Sequence, residues 1–222
     1  MKFIFAAAVA AASFATPALA QDQSAGSFGV GVTAGTLGIG PEVNFRGDNF
    51  GVRGSATFFG MSRDVESDGV EYEGDLKLRS FGGSVDFYPG GGGFRISPGV
   101  RISNNRVELK ASPAATTSVE IGDVTYTGAQ IGVLTGEVKP NKLAPTLTIG
   151  YGSGKGSGLY FGIDAGVMFQ GSPKVKNLVA TGPIATNAAF QAELARERAE
   201  IEDDVDNFKL YPVLQLGLGF RF

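Results

Sequence analysis

The chain ends on a stretch whose side-chain character alternates at every second residue. Leu210–Phe222 reads LYPVLQLGLGFRF. One set is Leu210, Pro212, Leu214, Leu216, Leu218, Phe220 and Phe222, and the other is Tyr211, Val213, Gln215, Gly217, Gly219 and Arg221. Successive side chains of a strand point to opposite faces, so this is a strand with one apolar and one more polar face. Such a face must meet a protein core or lipid, and the rest of the sequence decides between them.

Residues 1–20 read as an export signal. Lys2 gives a positive start, Phe3–Ala15 a short apolar run, and Ala18-Leu19-Ala20 a small-x-small cleavage site. The expected organisation is a cleaved signal, 1–20, followed by one domain, 21–222. No later run reaches the roughly 18 apolar residues of a helical span. The exported chain is therefore expected to be soluble or to cross a membrane as a barrel. The absence of cysteine excludes a disulfide-stapled scaffold. Glycine accounts for 34 of 222 residues and phenylalanine for 17. Glycine is thus at about twice its usual ~7%, and alternating strands rich in Gly and Phe suit a barrel.

Eight segments carry the period of two: 26–35, 39–46, 50–59, 75–88, 94–110, 142–151, 159–170 and 208–222. Two of them lose phase. Leu76 and Leu78 are out of step with Phe81 and Val85, and Val107 and Leu109 with Val100 and Ile102. A bulge, or a strand continuing beyond a bilayer, accounts for either. The connections alternate in length. Those at 47–48, 89–93 and 152–158 are short and glycine-rich, as tight hairpins require. Those at 60–74, 111–141 and 171–207 are long, and only the first, near 35–38, breaks the pattern. Short turns at one end and long loops at the other match outer-membrane barrels.

Together these features resemble the small eight-stranded outer-membrane barrels of Gram-negative bacteria, of the outer-membrane protein A, X and W type. The resemblance covers essentially all of 21–222. It implies an all-β fold: an eight-stranded antiparallel transmembrane up-and-down barrel, integral to the outer membrane, with both termini in the periplasm. In that family the last strand carries an assembly signal, polar-x-Gly-x-x-apolar-x-aromatic. Gln215, Gly217, Phe220 and Phe222 match it. The implied partners are outer-membrane lipid and the barrel-assembly machinery. The alternative is a soluble exported barrel with a wet exterior, which needs the apolar set inward and the charged set outward; the set that faces inward under the membrane reading holds too many small and charged residues to make a good dry core.

Opposite the apolar faces lie Glu42, Arg53, Asp86, Arg95, Arg101, Asp164 and Arg221. A two-residue turn at Gly47-Asp48 would put Glu42 across from Arg53. A four-residue turn at Pro89–Gly92 would put Asp86 across from Arg95 and Phe87 across from Phe94. Lone charges in such an interior would cost several kcal/mol, so pairing is expected. Eight strands leave an interior that side chains fill, so a plugged barrel is expected rather than a porin.

There is no histidine. That removes Ser-His-Asp and Cys-His catalysis and histidine-based metal sites, and no enzyme activity or cofactor is expected. Asp64–Asp75, DVESDGVEYEGD, has acids at positions 1, 3, 5 and 12 of a calcium loop, with Gly69 at position 6. Its departures at positions 3 and 12 favour a plain acidic loop tip over a metal site. Residues 187–206 form a helix candidate capped by Asn187, with Phe190, Leu194, Ile201 and Val205 at helical spacing. Its support is expected to be the barrel mouth or the loop 111–141. The glycine-rich stretches 90–93 and 150–158 are turns, and no basic patch supports nucleic-acid binding. The expected role is structural or surface-interacting: envelope integrity, adhesion, or contact with an extracellular partner. The alternative is binding or passage of a small hydrophobic molecule. Both rest on the fold class.

Overall fold

A computed structural model describes residues 26–153 and 155–222; the expected signal, 1–20, lies outside them. Eight alternating segments form strands: β1 (Ser27–Gly35), β2 (Gly38–Arg46), β3 (Phe50–Ser67), β4 (Val70–Phe87), β5 (Phe94–Ser103), and, after an insertion, β10 (Leu143–Gly152), β11 (Gly158–Phe169) and β13 (Leu210–Arg221). Each pairs antiparallel with the next in that order, and β13 pairs back with β1, so the hydrogen bonding runs round a ring.

The apolar set of every ring strand points out. Val30, Val43, Val100, Ile149, Ile163 and Leu216 are all exposed on the ring exterior. Aromatic residues flank this aliphatic zone. At the short-turn end Phe28 lies across from Phe45 and Tyr151 across from Phe94, and the Phe50 and Phe87 rings are 5.1 Å apart. Phe58, Phe81 and Phe169 stand at the other end.

The two turn registers differ from expectation. The first short connection spans four residues, since Arg46 faces Gly51 and the Gly47 amide donates to the Phe50 carbonyl at 2.8 Å. Arg53 therefore faces Asn44, and Glu42 faces Ser55. Phe87 faces Ile96 rather than Phe94, which moves Arg95 away from Asp86. Each shift is two residues, so inward and outward faces are preserved.

What reads as long loops is largely built. Strands β3 and β4 continue past the ring as a hairpin that closes at Asp68-Gly69, both with positive φ (51° and 77°). Two such residues make the mirror-image turn that suits strand twist. The acids of the calcium motif are thereby split between two extended strands, with Asp64 across from Glu73 and Glu66 across from Glu71. No group of three metal-binding side chains occurs among the described residues. A loop that must wrap an ion cannot also be a straight ladder, so the minor calcium alternative has no loop to rest on; the acidic tip is the end of a hairpin.

The insertions supply the rest of this outer sheet: β6 (Arg106–Pro113), a hairpin of β7 (Ser118–Ile121) and β8 (Val124–Thr127), the short helix α1 (Gly128–Ile131), β9 (Leu134–Lys139), and later β12 (Lys174–Ala180). Strand β6 pairs with β4 and β9, and β9 with β12. Helix α2 (Ala188–Asp204) is capped by Asn187, whose side chain accepts from the amides of Ala189 and Phe190. Its Phe190 and Leu194 pack on Ile121 and Ile131, with Val119, Tyr126, Leu134 and Leu178 around them. The support of α2 is thus the 111–141 insertion.

Candidate functional site

The seven charged residues expected to face inward all do so. Arg53 on β3 donates to Asp86 on β4 at 3.1 Å and also pairs with Asp164 on β11. Arg95 on β5 grips the same Asp164 through two nitrogens, Nε at 2.9 Å and Nη2 at 2.7 Å. A two-point guanidinium–carboxylate contact is among the stronger hydrogen-bonded pairs. Gly150 makes it possible. It lies between Arg95 and Asp164 in the ladder, and a Cβ there would come within 2.2 Å of the Asp164 Oδ1.

Above and below this pair the interior is layered. At the short-turn end Arg46 stacks 3.9 Å from the Tyr88 ring centre and donates to the Ser153 and Gly91 carbonyls. Beside it the Arg221 guanidinium lies 4.7 Å from the Tyr160 ring, whose hydroxyl donates to Glu42 at 3.4 Å. Toward the other end Arg101 donates to the hydroxyls of Ser55, Thr57 and Ser80. Beyond Arg101 the interior turns apolar. Leu37, from the turn after β1, meets Ala144, Met168 and Val213, with Tyr211 against them. The two cavities left among these charged and hydroxyl layers hold about 60 Å³ and 20 Å³. That is room for isolated waters.

Arg46, Tyr88 and Tyr160 were missed in the sequence as interior groups, yet the signal was there. Each shares the strand parity of a charge that was found: Arg46 with Glu42, Tyr88 with Asp86, Tyr160 with Asp164.

Two further cavities lie where the ring meets the outer sheet. One, of about 260 Å³, is lined by Leu76, Leu78, Val107, Val138, Phe208 and Tyr211 among others. The second, of about 310 Å³, opens on the outer face and carries Arg79, Arg106, Lys139 and Lys142 with Asn104 and Asn105. The sheet beyond is latched by surface ion pairs. Lys77 and Arg106 both hold Glu108, which keeps that carboxyl below its usual range. Lys110 pairs with Glu73 at 2.5 Å, and the contact raises the lysine.

The residues of the assembly motif split across the wall of the ring. Gln215 is buried inside, Gly217 lines the interior beside Glu42, and Phe220 and Phe222 stand exposed on the outer surface.

No family model and no curated protein matches the chain. Crystal structures similar to it include those of two outer-membrane proteins, CarO2 and CarO. CarO2 of Acinetobacter baumannii superposes with a TM-score of 0.58 at 21% identity, covering 88% of this chain and 98% of its own. CarO of Acinetobacter baumannii gives 0.55 at 21%, covering 87% and 97%. What this chain shares with them is the fold, over nearly the whole of each.

Proposed function

We propose that this chain is an integral outer-membrane β-barrel of the cell envelope, non-catalytic, with a structural or surface-interaction role such as envelope integrity or adhesion. The single observation that carries the reading is the inverted polarity of the ring: apolar residues all round the exterior and bonded charges within. Water outside would penalise the first arrangement, and lipid outside rewards it. Dimensions agree. Ten residues separate Leu159 from Phe169; that is about 33 Å of strand, which a tilt near 40° projects to roughly 25 Å, the height of such an apolar band. On this reading the outer sheet faces outward and both termini lie in the periplasm. Phe220 and Phe222, with Gln215 and Gly217, are the segment that the barrel-assembly machinery would read.

The test is insertion into bilayers with current recording. The protein should insert, run faster on gels before boiling than after, and give no stable porin-sized currents. Open currents would overturn the plugged interior, and failure to insert would overturn the membrane reading. Deleting Phe222 should lower the yield of assembled barrel in cells.

A second reading is favoured by the 260 Å³ apolar cavity at the outer mouth: capture of a small hydrophobic molecule there, without passage through the charged layers below. A lipophilic fluorescent probe should bind wild type and lose affinity for Leu78→Arg.

A further inference from the structure

The basic cavity at the outer mouth has a position that the ion pairs of the outer sheet lack. Phe81, Ile102 and Leu143 form one cross-strand row on the ring exterior. Arg79 lies two residues beyond Phe81 on the same outward face, about 7 Å further along β4. Asn104 sits across from it, its amide donating to the Arg79 carbonyl at 2.7 Å, and the Ser103 amide donates to the Lys142 carbonyl at 2.7 Å. The buried Asn105 fixes the floor, its Oδ1 accepting from the Arg79 amide at 2.9 Å. Arg79 and Asn104 therefore stand one step beyond that row on the same face, with exposed Phe58 across from Arg79 on β3, and Lys142 joins them at the rim of the cavity, next to Leu143 and across from Ser103.

The four cations of this cavity are not equivalent. Arg106 is held by Glu108 at 2.6 Å and Lys139 by Glu137 at 2.5 Å. Arg79 and Lys142 have no carboxylate partner among the described residues, and no acid lines the cavity. On the β4–β6–β9 sheet immediately beyond, Lys77, Arg106, Lys110 and Lys139 are all paired. Two uncompensated cations with amide donors between them, set in a pocket beside lipid, have the chemistry that binds a phosphate.

We propose that this cavity binds the phosphate group of a membrane lipid of the outward-facing leaflet, with Arg79 and Lys142 supplying charge and Asn104 a neutral hydrogen bond. The proposal rests on the membrane reading above and adds to it a specific lipid contact. The occupant is a lipid rather than a free anion because the cavity opens beside the Phe81–Ile102–Leu143 row, where an acyl chain would lie.

Native mass spectrometry of the full protein released from detergent is the test, with phosphatidic acid and phosphatidylcholine offered in turn. Wild type should retain one phosphatidic acid and discriminate against phosphatidylcholine. Arg79→Ala with Lys142→Ala should weaken that adduct on the order of 25-fold, about fivefold for each cation. Arg79→Lys should keep most of it. Both positions are exposed, so the double variant should keep its unboiled gel mobility; should it not, Arg79→Gln alone serves as the variant. An unchanged adduct in a folded variant would overturn the site. Inorganic phosphate at millimolar concentration that displaces the lipid completely would assign the cavity to a free anion and overturn the lipid. Wild type that fails to enter bilayers at all would instead bring down the barrel reading, which separates the two failures.

Discussion

The ring and the outer sheet bury opposite things. Inside the ring, Arg53, Arg95, Asp86 and Asp164 form the centre, with arginine–tyrosine stacks at one end. Under α2, the centre is Phe190, Leu194, Ile121 and Ile131, with ion pairs left on the surface. One chain thus contains a polar interior and an apolar one, a few strand residues apart. The difference teaches that burial follows the external solvent. On the proposed membrane reading the exterior of the ring is lipid, so apolar side chains gain most by facing out, and the inside must satisfy charges. Where the exterior is water, the usual order returns. Strand β4 crosses the boundary: Phe81 and Val85 point out, while Leu76 and Leu78 point in.

The sharpest way to break the polar interior is Asp164→Ala. It leaves Arg53 and Arg95 buried without their shared carboxylate, and the loss of one member of a buried pair costs about 3–5 kcal/mol. Gly150→Val should act in the same direction, because its side chain occupies the space in which Arg95 meets Asp164. Boiling-dependent gel mobility against temperature, in detergent, should show the ring melting earlier, with the outer sheet affected only as a consequence. An unshifted transition in Asp164→Ala would mean the charge cluster is not what holds the ring.

Phe190→Ala tests the apolar interior. Truncating this fully buried ring removes its edge-on contact with Tyr126, 5.0 Å between centroids, and should cost about 3 kcal/mol. The loss should be local: faster proteolysis within 111–141 and 171–207, with the ring transition unmoved. A ring that melts earlier would show that the two interiors are one cooperative unit. The paired variant Asp164→Ala with Phe190→Ala sharpens this, since independent regions should add. Asn187→Ala is a gentler probe of the same region. It removes the cap from two α2 amides and should cost about 1 kcal/mol of helix stability, read by amide exchange in the first turn of α2.

This contrast also explains what was legible beforehand. Period-two parity exposed all eight ring strands and the inward charges, because a ring with an apolar exterior and a polar interior demands strict alternation and a one-residue slip would invert every face. Asn187 and the Phe190–Leu194 spacing likewise marked α2. Turn length was not legible. Residues 47–49 are Gly, Asp and Asn, any of which suits a turn, so the register slid by two and assigned Arg53 to Glu42. The outer strands were hidden for a different reason. The start of β6 reads as the end of one strand, 94–110, which the structure breaks at Asn104-Asn105 into β5 and β6; β9 lies in an expected loop because its polar residues, Glu137 among them, leave only a short apolar face until β6 supplies a partner. Of the two accounts open for the lost phase at Leu76 and Leu78, a bulge or a continuing strand, the structure has the second: β4 runs on past the ring into the outer sheet. Asp68-Gly69 is a strong hairpin signal that goes unused inside a stretch that reads as an acidic loop tip.

The smallest expected effect falls on the outer sheet alone and depends on pH. Glu108 is held by Lys77 and Arg106, and its carboxyl is depressed below its usual value. A depressed carboxylate contributes stability that is complete above its unfolded pKa and fades as pH falls through the folded value. Glu202, which takes hydrogen bonds from Lys174 and the Val175 amide, is depressed in the same sense. Both sit in water-exposed pairs, where solvent screens the gain, so the effect should be small and should shrink further in salt. Amide exchange in β6, β9 and β12, corrected for intrinsic rates, should accelerate below about pH 4.5 at low ionic strength. Added salt at neutral pH should produce part of the same loosening. Equal protection at both pH values would mean that the ladder hydrogen bonds and the Phe190 core hold the outer sheet unaided, and the ion pairs merely decorate it.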